Sequence, residues 1–339
     1  MSKKILPVFW GGLGILLLIL DSKTALAGAK DGIELCLASV IPSIFPFLVL
    51  SGMLTPAICG ANLSLLRPLS RILGIPQGAE GIFLTGIVGG YPTGAQSIHQ
   101  AWKRGQLSKE DAQRMLAFCS NAGPSFLFGI LGAKFADNWM LWLLWSIHIL
   151  SAVAVAVIFP GKSHNNHKLS PTTPVTLTQS LKKAVATISY ICGWVVLFRI
   201  LIAFLDRWFL WLLPINMRIA VYGILELANG CCSTDIISSS GLRFILCSGM
   251  LAFGGICVTM QTASVTGELG LEKYVQGKIL QAMISILFSM IAQHFLFSPA
   301  EKAAFSPLFL TIIIFSILIF AIIPLKNKNR GRIPSSVGV

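Results

Sequence analysis

Two short polar motifs lie inside apolar sequence between residues 86 and 132 of this 339-residue chain. The first is Gly89-Gly90-Tyr91-Pro92-Thr93-Gly94, and the second is Cys119-Ser120-Asn121-Ala122-Gly123-Pro124. Glycine and proline break helices, and the hydroxyl and amide groups among them form hydrogen bonds. A bilayer core tolerates such backbone only where it is buried in protein or lines a cavity. The two motifs therefore predict half of a binding site for a small polar solute.

The second half of the chain repeats this plan. Its apolar runs break at small and polar residues centred on Gly230 and Gly254. In each half an arginine, Arg114 or Arg243, shortly precedes the second break. Paired broken segments in corresponding positions of two halves are typical of transporters built from inverted repeats, whose site lies between the repeats.

Polar side chains at the breaks are the candidate ligand contacts, because amides offer both donors and acceptors to a sugar hydroxyl or a base edge. For Asn121, internal capping of a broken helix is an equal alternative. Glu226 is an ionisable group in an apolar run, which is costly unless it is paired or functional. Ion coupling, ligand binding and a structural ion pair with Arg199, Arg218 or Arg243 all remain open. The ligand-binding candidates are Tyr91, Thr93, Gln96, Ser120, Asn121, Ser125, Glu226, Asn229, Ser233, Thr234, Asp235 and Gln261. The backbone-shaping candidates are Gly90, Gly94, Gly123, Pro124, Gly230, Gly254 and Gly255.

The composition indicates a multi-pass protein of the cell membrane. Apolar residues make up 55% of the chain and charged residues only 12%, against about 25% charged in soluble domains. The net charge of +13 is spread over loops and ends, so positive cytoplasmic loops explain it better than nucleic-acid binding. The eight cysteines form no C-x-x-C pair, and no catalytic motif stands out. We therefore expect no metal, no cofactor and no enzyme activity.

The predicted fold is all-α: a polytopic helical membrane protein with broken or re-entrant helices and two pseudo-repeated halves. Residues 1–29 form an N-terminal transmembrane helix, favoured over a cleaved signal peptide that the basic start and Ala25-Leu26-Ala27 also permit. The two membrane halves are residues 30–160 and 181–325, joined by a polar linker at 161–180 and followed by a basic tail at 326–339.

Within this frame the apolar runs predict the spans, at residues 32–55, 139–159, 184–205, 241–265, 278–297 and 305–325. The charged stretch 103–114 is expected outside the hydrocarbon, with Ser108 and Asp111 starting a helix as a capping box. His148 lies inside a span, and a satisfied interface histidine is favoured over a proton relay.

The orientation of the two halves stays open. The basic N-terminus, linker and tail each favour the cytoplasm, which requires an even number of crossings per half. An inverted repeat requires an odd number. Either a terminal helix lies outside the repeat, or the linker is external.

The motifs together resemble the nucleoside recognition (Gate) domain family of membrane proteins, and in particular its YlbJ-like branch of sporulation proteins. The resemblance covers residues 32–325, with Tyr91 where a phenylalanine is expected and Ser120 where a second asparagine is expected. The segments that carry it are Gly89-Gly90-Tyr91-Pro92-Thr93-Gly94-Ala95, Leu116-Ala117-Phe118-Cys119-Ser120-Asn121-Ala122-Gly123-Pro124, Glu226-Leu227-Ala228-Asn229-Gly230, Phe253-Gly254-Gly255 and Gln261.

The resemblance implies a transporter-like protein of the lipid bilayer that binds or moves a small polar solute, nucleoside-like by kinship. It also implies a role in sporulation, in spore cortex formation or heat resistance. A non-transporting scaffold for spore envelope assembly is the alternative, although a scaffold has no need of two buried polar breaks. Coupling to H⁺ or Na⁺ and assembly of identical chains are both left open.

Overall fold

The computed structural model describes residues 2–59, 66–135, 137–161 and 173–298, together with Glu301, Ile314 and Ile317. These residues form α-helices and short helical turns, and none of them lies in a strand. The helices of the first half are α1 (Ser2–Leu20), α2 (Ser22–Leu35), α3 (Ile41–Ile58), α4 (Arg67–Leu73), α5 (Glu80–Gly89), α6 (Thr93–Lys103), α7 (Lys109–Cys119), α8 (Pro124–Gly129) and α9 (Asn138–Ile158). Those of the second half are α10 (Leu177–Trp208), α11 (Ile215–Leu225), α12 (Leu227–Cys232), α13 (Ser240–Phe253), α14 (Gly255–Thr266) and α15 (Glu272–Leu296).

Five helical stretches of the described chain are long and apolar enough to cross a membrane, which confirms the polytopic all-α prediction. They are Ser22–Ile58, Asn138–Ile158, Leu177–Trp208, Ser240–Leu269 and Glu272–Leu296. The first joins α2 and α3 through a π-helical turn, Cys36–Val40. The predicted span at 305–325 and the basic tail fall outside the described residues, apart from Ile314 and Ile317.

Four helix interruptions occur in the order that the sequence predicts. In the first half, Gly90 separates α5 from α6, and an extended segment at 120–123 separates α7 from α8. In the second half, Glu226 separates α11 from α12. Gly254 separates α13 from α14 with a φ of 81°, a left-handed conformation that favours glycine. Gly230, the predicted centre of the third break, lies inside α12, four residues after the observed one.

The two breaks of the first half lie directly against each other. A Cβ on Gly90 would come within 3.0 Å of the Gly123 nitrogen. The Cys119 carbonyl, at the end of α7, lies where a Cβ on Gly86 or on Gly94 would stand. Glycine is therefore required at these positions to let α5 and α6 approach the end of α7.

Helix α15 ties the two halves together. It packs against α7 and α9 of the first half and against α13 of the second. A Cβ on Gly277 would lie 2.5 Å from the Ala117 carbonyl oxygen, so α15 and α7 are in close backbone contact. Consequently polar groups of α15 reach the break that follows α7.

Arginines anchor the second broken helix of each half through backbone carbonyls. Arg114 is buried and donates to the carbonyls of Leu73, Phe159 and Gly74. Arg243 donates to Lys134 O and Ile237 O, each at 2.7 Å. Carbonyls at helix ends lack intrahelical partners, and an arginine satisfies them.

The helix that follows the charged turn begins at Lys109 with Ser108 as its N-cap residue, as predicted, but the predicted capping box is incomplete because the Asp111 carboxylate accepts from the Ser108 hydroxyl and not from a backbone amide. The Asp111 amide donates to Ser108 Oγ at 3.0 Å, and Ser108 Oγ donates to Asp111 Oδ2 at 2.8 Å. Thr176 and Gln179 form a full capping box at the start of α10, so this helix begins at Leu177, within the stretch assigned to the linker.

Candidate functional site

The breaks of both halves converge on one small cavity, here called the break cavity. Its volume is about 50 Å³. The predicted site residues Tyr91 and Ser125 line it from the first half, and Glu226 and Gln261 from the second. Gly90 and Gly123 also contribute to its wall. The structure therefore brings together four ligand-binding candidates that are up to 170 positions apart in the chain (261 − 91).

The Glu226 carboxylate is fixed by the start of α12. Its oxygens accept from the amide of Ala228 at 3.0 Å, the amide of Asn229 at 2.7 Å and Asn229 Nδ2 at 2.7 Å. The residue is 3% exposed, and no ion pair among the described residues includes it. Glu226 is thus a helix cap whose charge is balanced by amides and by the positive end of the helix dipole.

The three arginines proposed as structural partners of Glu226 bind elsewhere. Arg199 pairs with Asp31 at 2.7 Å, and Arg218 pairs with Asp206 at 3.0 Å. Arg243 donates to the backbone carbonyls described above. A structural lock through these arginines is therefore wrong, and no lysine or arginine of the described residues forms an ion pair with the carboxylate in the cavity wall.

A second polar cluster surrounds the break after α7. Lys278 on α15 is fully buried, and its Nζ donates to Gln281 Oε1 at 2.7 Å and to Asn121 Oδ1 at 3.4 Å. Gln281 Nε2 also donates to Asn121 Oδ1, at 3.0 Å. His148 Nε2 accepts from the amide of Ala122 at 3.1 Å, so the histidine lies at a helix interface as expected, but it is only half satisfied because its buried Nδ1 has no partner among the described residues. A fixed cation and three polar side chains thus replace the water that an unwound membrane segment lacks.

Asn121 combines the two roles that the sequence left open. Its Nδ2 caps the end of α7 by donating to Phe118 O at 2.7 Å. Its Oδ1 points to α15 and accepts from Lys278 and Gln281. The Ser120 hydroxyl is buried and has no partner among the described residues, which leaves one polar group of this break unsatisfied.

Tyr91 connects this cluster to the break cavity. Lys278 Nζ lies 5.2 Å from the centre of its ring, a cation–π distance. The ring packs against Gly254, where a Cβ would stand 3.1 Å from its Cζ, and its hydroxyl donates to Leu251 O at 3.3 Å. Tyr91 therefore touches the breaks of both halves and the buried cation.

The remaining candidates lie outside the break cavity. Thr93 and Gln96 line a larger neighbouring cavity, and Asn229 supports Glu226. The three residues after α12 line neither cavity. Ser233 donates to Asn229 O at 2.8 Å, Thr234 donates to Cys231 O at 2.7 Å, and Asp235 pairs at the surface with Lys134.

Sequence reasoning missed the role of Lys278 and Gln281. The available signal was their spacing, since Lys278 and Gln281 begin a polar stripe that Ser285 and Ser289 continue on one face of α15. An ionisable residue inside a membrane segment is a functional candidate by default. The same rule that identified Glu226 therefore applies to Lys278.

We expect Lys278→Met to leave the free energy of unfolding unchanged or to raise it by about 1 kcal/mol. The apparent melting temperature should then stay the same or rise. The substitution removes a desolvated charge that has no carboxylate partner among the described residues. Gln281 Oε1 loses the ammonium as its donor, which offsets part of this gain, while Gln281 Nε2 keeps its bonds to Asn121 Oδ1 and His148 O. Gln281→Leu serves as the control, because it leaves the ammonium with fewer acceptors and should destabilise the protein. Thermal unfolding in detergent compares the two variants. A large loss for Lys278→Met would contradict this assignment.

The chain is similar to the sporulation integral membrane protein YlbJ of Bacillus subtilis (strain 168), with 24% identity over 313 residues. The alignment covers 78% of this chain and 76% of the relative. No family model matches the chain, so the Gate resemblance stays a prediction, and no solved structure matches it either. The integral membrane relative and the five apolar spans together establish a multi-pass membrane protein.

Proposed function

We propose that this protein binds a small polar solute in the break cavity and moves it across the membrane during sporulation. The observation that carries the proposal is the convergence of polar groups from both halves on one cavity inside an apolar chain. Interrupted helices leave free amides and carbonyls at membrane depth, and transporters use such ends to hold solutes and ions.

The chemistry of the cavity wall favours a ligand that donates hydrogen bonds. Glu226 presents a carboxylate, and Gln261 and Ser125 offer amide and hydroxyl groups. A volume of about 50 Å³ holds roughly three or four water molecules. A cation with its waters, or one polar end of a larger solute, fits this volume. A nucleoside-sized solute requires the breaks to move apart, as expected for alternating access.

The proposed biological setting rests on the relative. YlbJ is named as a sporulation protein, and the aligned region contains the segments that build the site. We therefore assign this chain to spore formation in its own host, with transport as its contribution. An enzymatic role is not proposed.

Complementation tests this setting. We expect this chain to restore the number of heat-resistant spores in a Bacillus subtilis strain that lacks YlbJ. Tyr91→Ala should abolish the rescue because it removes the ring that packs against Gly254 and lines the break cavity, and the exposed Lys182→Gln should leave it intact. Membrane quantity of each variant is measured in parallel. No rescue by the wild-type chain at normal membrane levels would contradict the sporulation role.

If the protein is a scaffold instead, we expect a different result in the strain that lacks YlbJ. Its function depends on folding and surface contacts, so Glu226→Gln should rescue sporulation whenever the variant reaches the membrane in normal quantity. A solute-binding protein should lose rescue in Glu226→Gln despite normal quantity, since the cavity loses its charge.

A further inference from the structure

A second cavity, larger and more polar, lies beside the break cavity. It is here called the glutamine cavity, and its volume is about 180 Å³. Gln96, Gln100 and Gln106 line it, together with the basic side chains of Arg104 and Lys183. The remaining polar lining consists of hydroxyl groups, of Ser51, Thr55, Thr93, Ser97, Thr173, Ser180 and Thr187.

The two cavities follow the same faces of the same helices. On α10, Ser180, Ala184 and Thr187 line the glutamine cavity, and Ile191 and Val195 line the break cavity. Spacings of three and four residues keep these positions on one face of the helix. At 1.5 Å per residue, Ala184 and Ile191 are about 10 Å apart along the axis, so the cavities are stacked end to end.

Helix α6 shows which end of the two stacked cavities lies at the protein surface. It starts next to Tyr91 at the break cavity, and its face with Thr93, Gln100 and Arg104 lines the glutamine cavity. Arg104 stands at the end of α6 in the charged turn, and it is exposed, as is Lys183 on α10. The glutamine cavity therefore runs from the breaks to a basic mouth at the protein surface.

The charge of this lining is of one sign. Two cations and three amides line the glutamine cavity, and no described aspartate or glutamate does. The side chains of Arg104, Lys183 and the three glutamines form no hydrogen bond or ion pair with another described residue. Guanidinium and ammonium groups without a protein partner bind phosphate or carboxylate oxygens.

We propose that the glutamine cavity is a binding site for the anionic group of a polar solute, a phosphate or a carboxylate, with Arg104 and Lys183 as its charge partners. This inference rests on the proposed function and names the class of solute that it serves. The anionic end stays at the basic mouth, and hydrogen-bond donors of the same solute reach toward Glu226. The solute is thus bipolar along the stack, because Glu226 repels an anion from the break cavity.

The native Cys59 is the probe, since it is half-buried and lines the glutamine cavity. We compare its modification by two methanethiosulfonates, one with a sulfonate and one with a trimethylammonium group, by mass spectrometry of its peptide. Rates are normalised to those of a free thiol in solution. We expect the anionic reagent to be favoured in the wild-type protein, and inorganic phosphate at constant ionic strength to slow its reaction.

The double variant Arg104→Gln/Lys183→Gln should lower the ratio of anionic to cationic rates by about tenfold. Lys109→Gln/Lys182→Gln removes the same charge from exposed neighbours that do not line the cavity, and it should change the ratio by less than twofold. It is the matched control. Gln100→Cys provides a second position in the cavity in case Cys59 reacts slowly.

Equal loss of selectivity in both double variants would assign the preference to general surface charge and overturn the proposal. So would the absence of reaction with either reagent at both positions, since the cavity would then be closed to water. Neither result depends on the break cavity. The two proposals can therefore fail separately. If a solute stabilises the wild-type protein and Glu226→Gln abolishes that response, the proposed function is supported even when the anion site is not.

Discussion

Replacement of Glu226 by alanine is expected to lower the free energy of unfolding by about 3 kcal/mol. The carboxylate is buried and accepts three hydrogen bonds, from the amides of Ala228 and Asn229 and from Asn229 Nδ2. Alanine leaves all three donors without a partner at a site that offers few waters. Thermal unfolding of the purified protein in detergent measures the loss.

Two further variants distinguish the role of Glu226 as the cap of α12 from the role of its negative charge. Glu226→Gln keeps one acceptor oxygen and should cost about 1 kcal/mol, while any response to solute or coupling ion should disappear. Asp235→Asn is the matched control, because this carboxylate lies nearby but is half exposed and pairs at the surface; we expect a change below about 1 kcal/mol. If Glu226→Gln retains solute uptake with unchanged ion dependence, the coupling role of this carboxylate is wrong.

Gly86→Ala should lower the free energy of unfolding by about as much as Glu226→Ala, but for a steric reason. A Cβ on Gly86 would stand 1.7 Å from the Cys119 carbonyl oxygen. That oxygen belongs to backbone at the second break, so it cannot rotate away as a side chain does. Overpacking of this kind costs about 3 kcal/mol or more, and α5 must separate from α7. The apparent melting temperature and the yield of folded protein report the change.

Gly193→Ala is the control for this steric prediction. Gly193 also lies inside a membrane helix, yet no atom of the described residues beyond its own helix turn lies within 4 Å of the added Cβ. Removal of a glycine from a helix interior is favourable by about 0.5–1 kcal/mol, so this variant should be neutral or slightly more stable. Similar stability of the two alanine variants would contradict the close approach of the two breaks.

The sequence predicted the membrane class and the positions of most breaks because both depend on local composition. Apolar runs define spans, and Gly90 and Gly254 mark interruptions through backbone freedom that other residues lack. The third break was placed four residues late, at Gly230. The chain breaks at Glu226 because its side chain caps the following helix, and that role depends on the conformation of the residue itself.

Contacts between residues that are far apart in the sequence could not be predicted, because they depend on how the helices pack. Lys278 and Asn121 are 157 positions apart, and only the packing of α15 against α7 brings them together. Local patterns carry no information on such pairs. The same limit applies to Glu226: an ion pair with an arginine was one of the alternatives that the sequence left open, whereas the actual donors are two backbone amides at the start of α12 and Asn229 Nδ2.

Solute-dependent thermal stabilisation tests most directly the central claim, which is that polar groups at the broken helices of both halves form one binding site. The purified protein is heated with nucleosides, amino acids and peptidoglycan precursors, in phosphorylated and uncharged forms where both exist. We predict that at least one polar solute raises the melting temperature of the wild-type protein and that Glu226→Gln, folded to the same extent, loses this response. The absence of stabilisation by every solute, or an equal response in the variant, would contradict a binding site at the breaks.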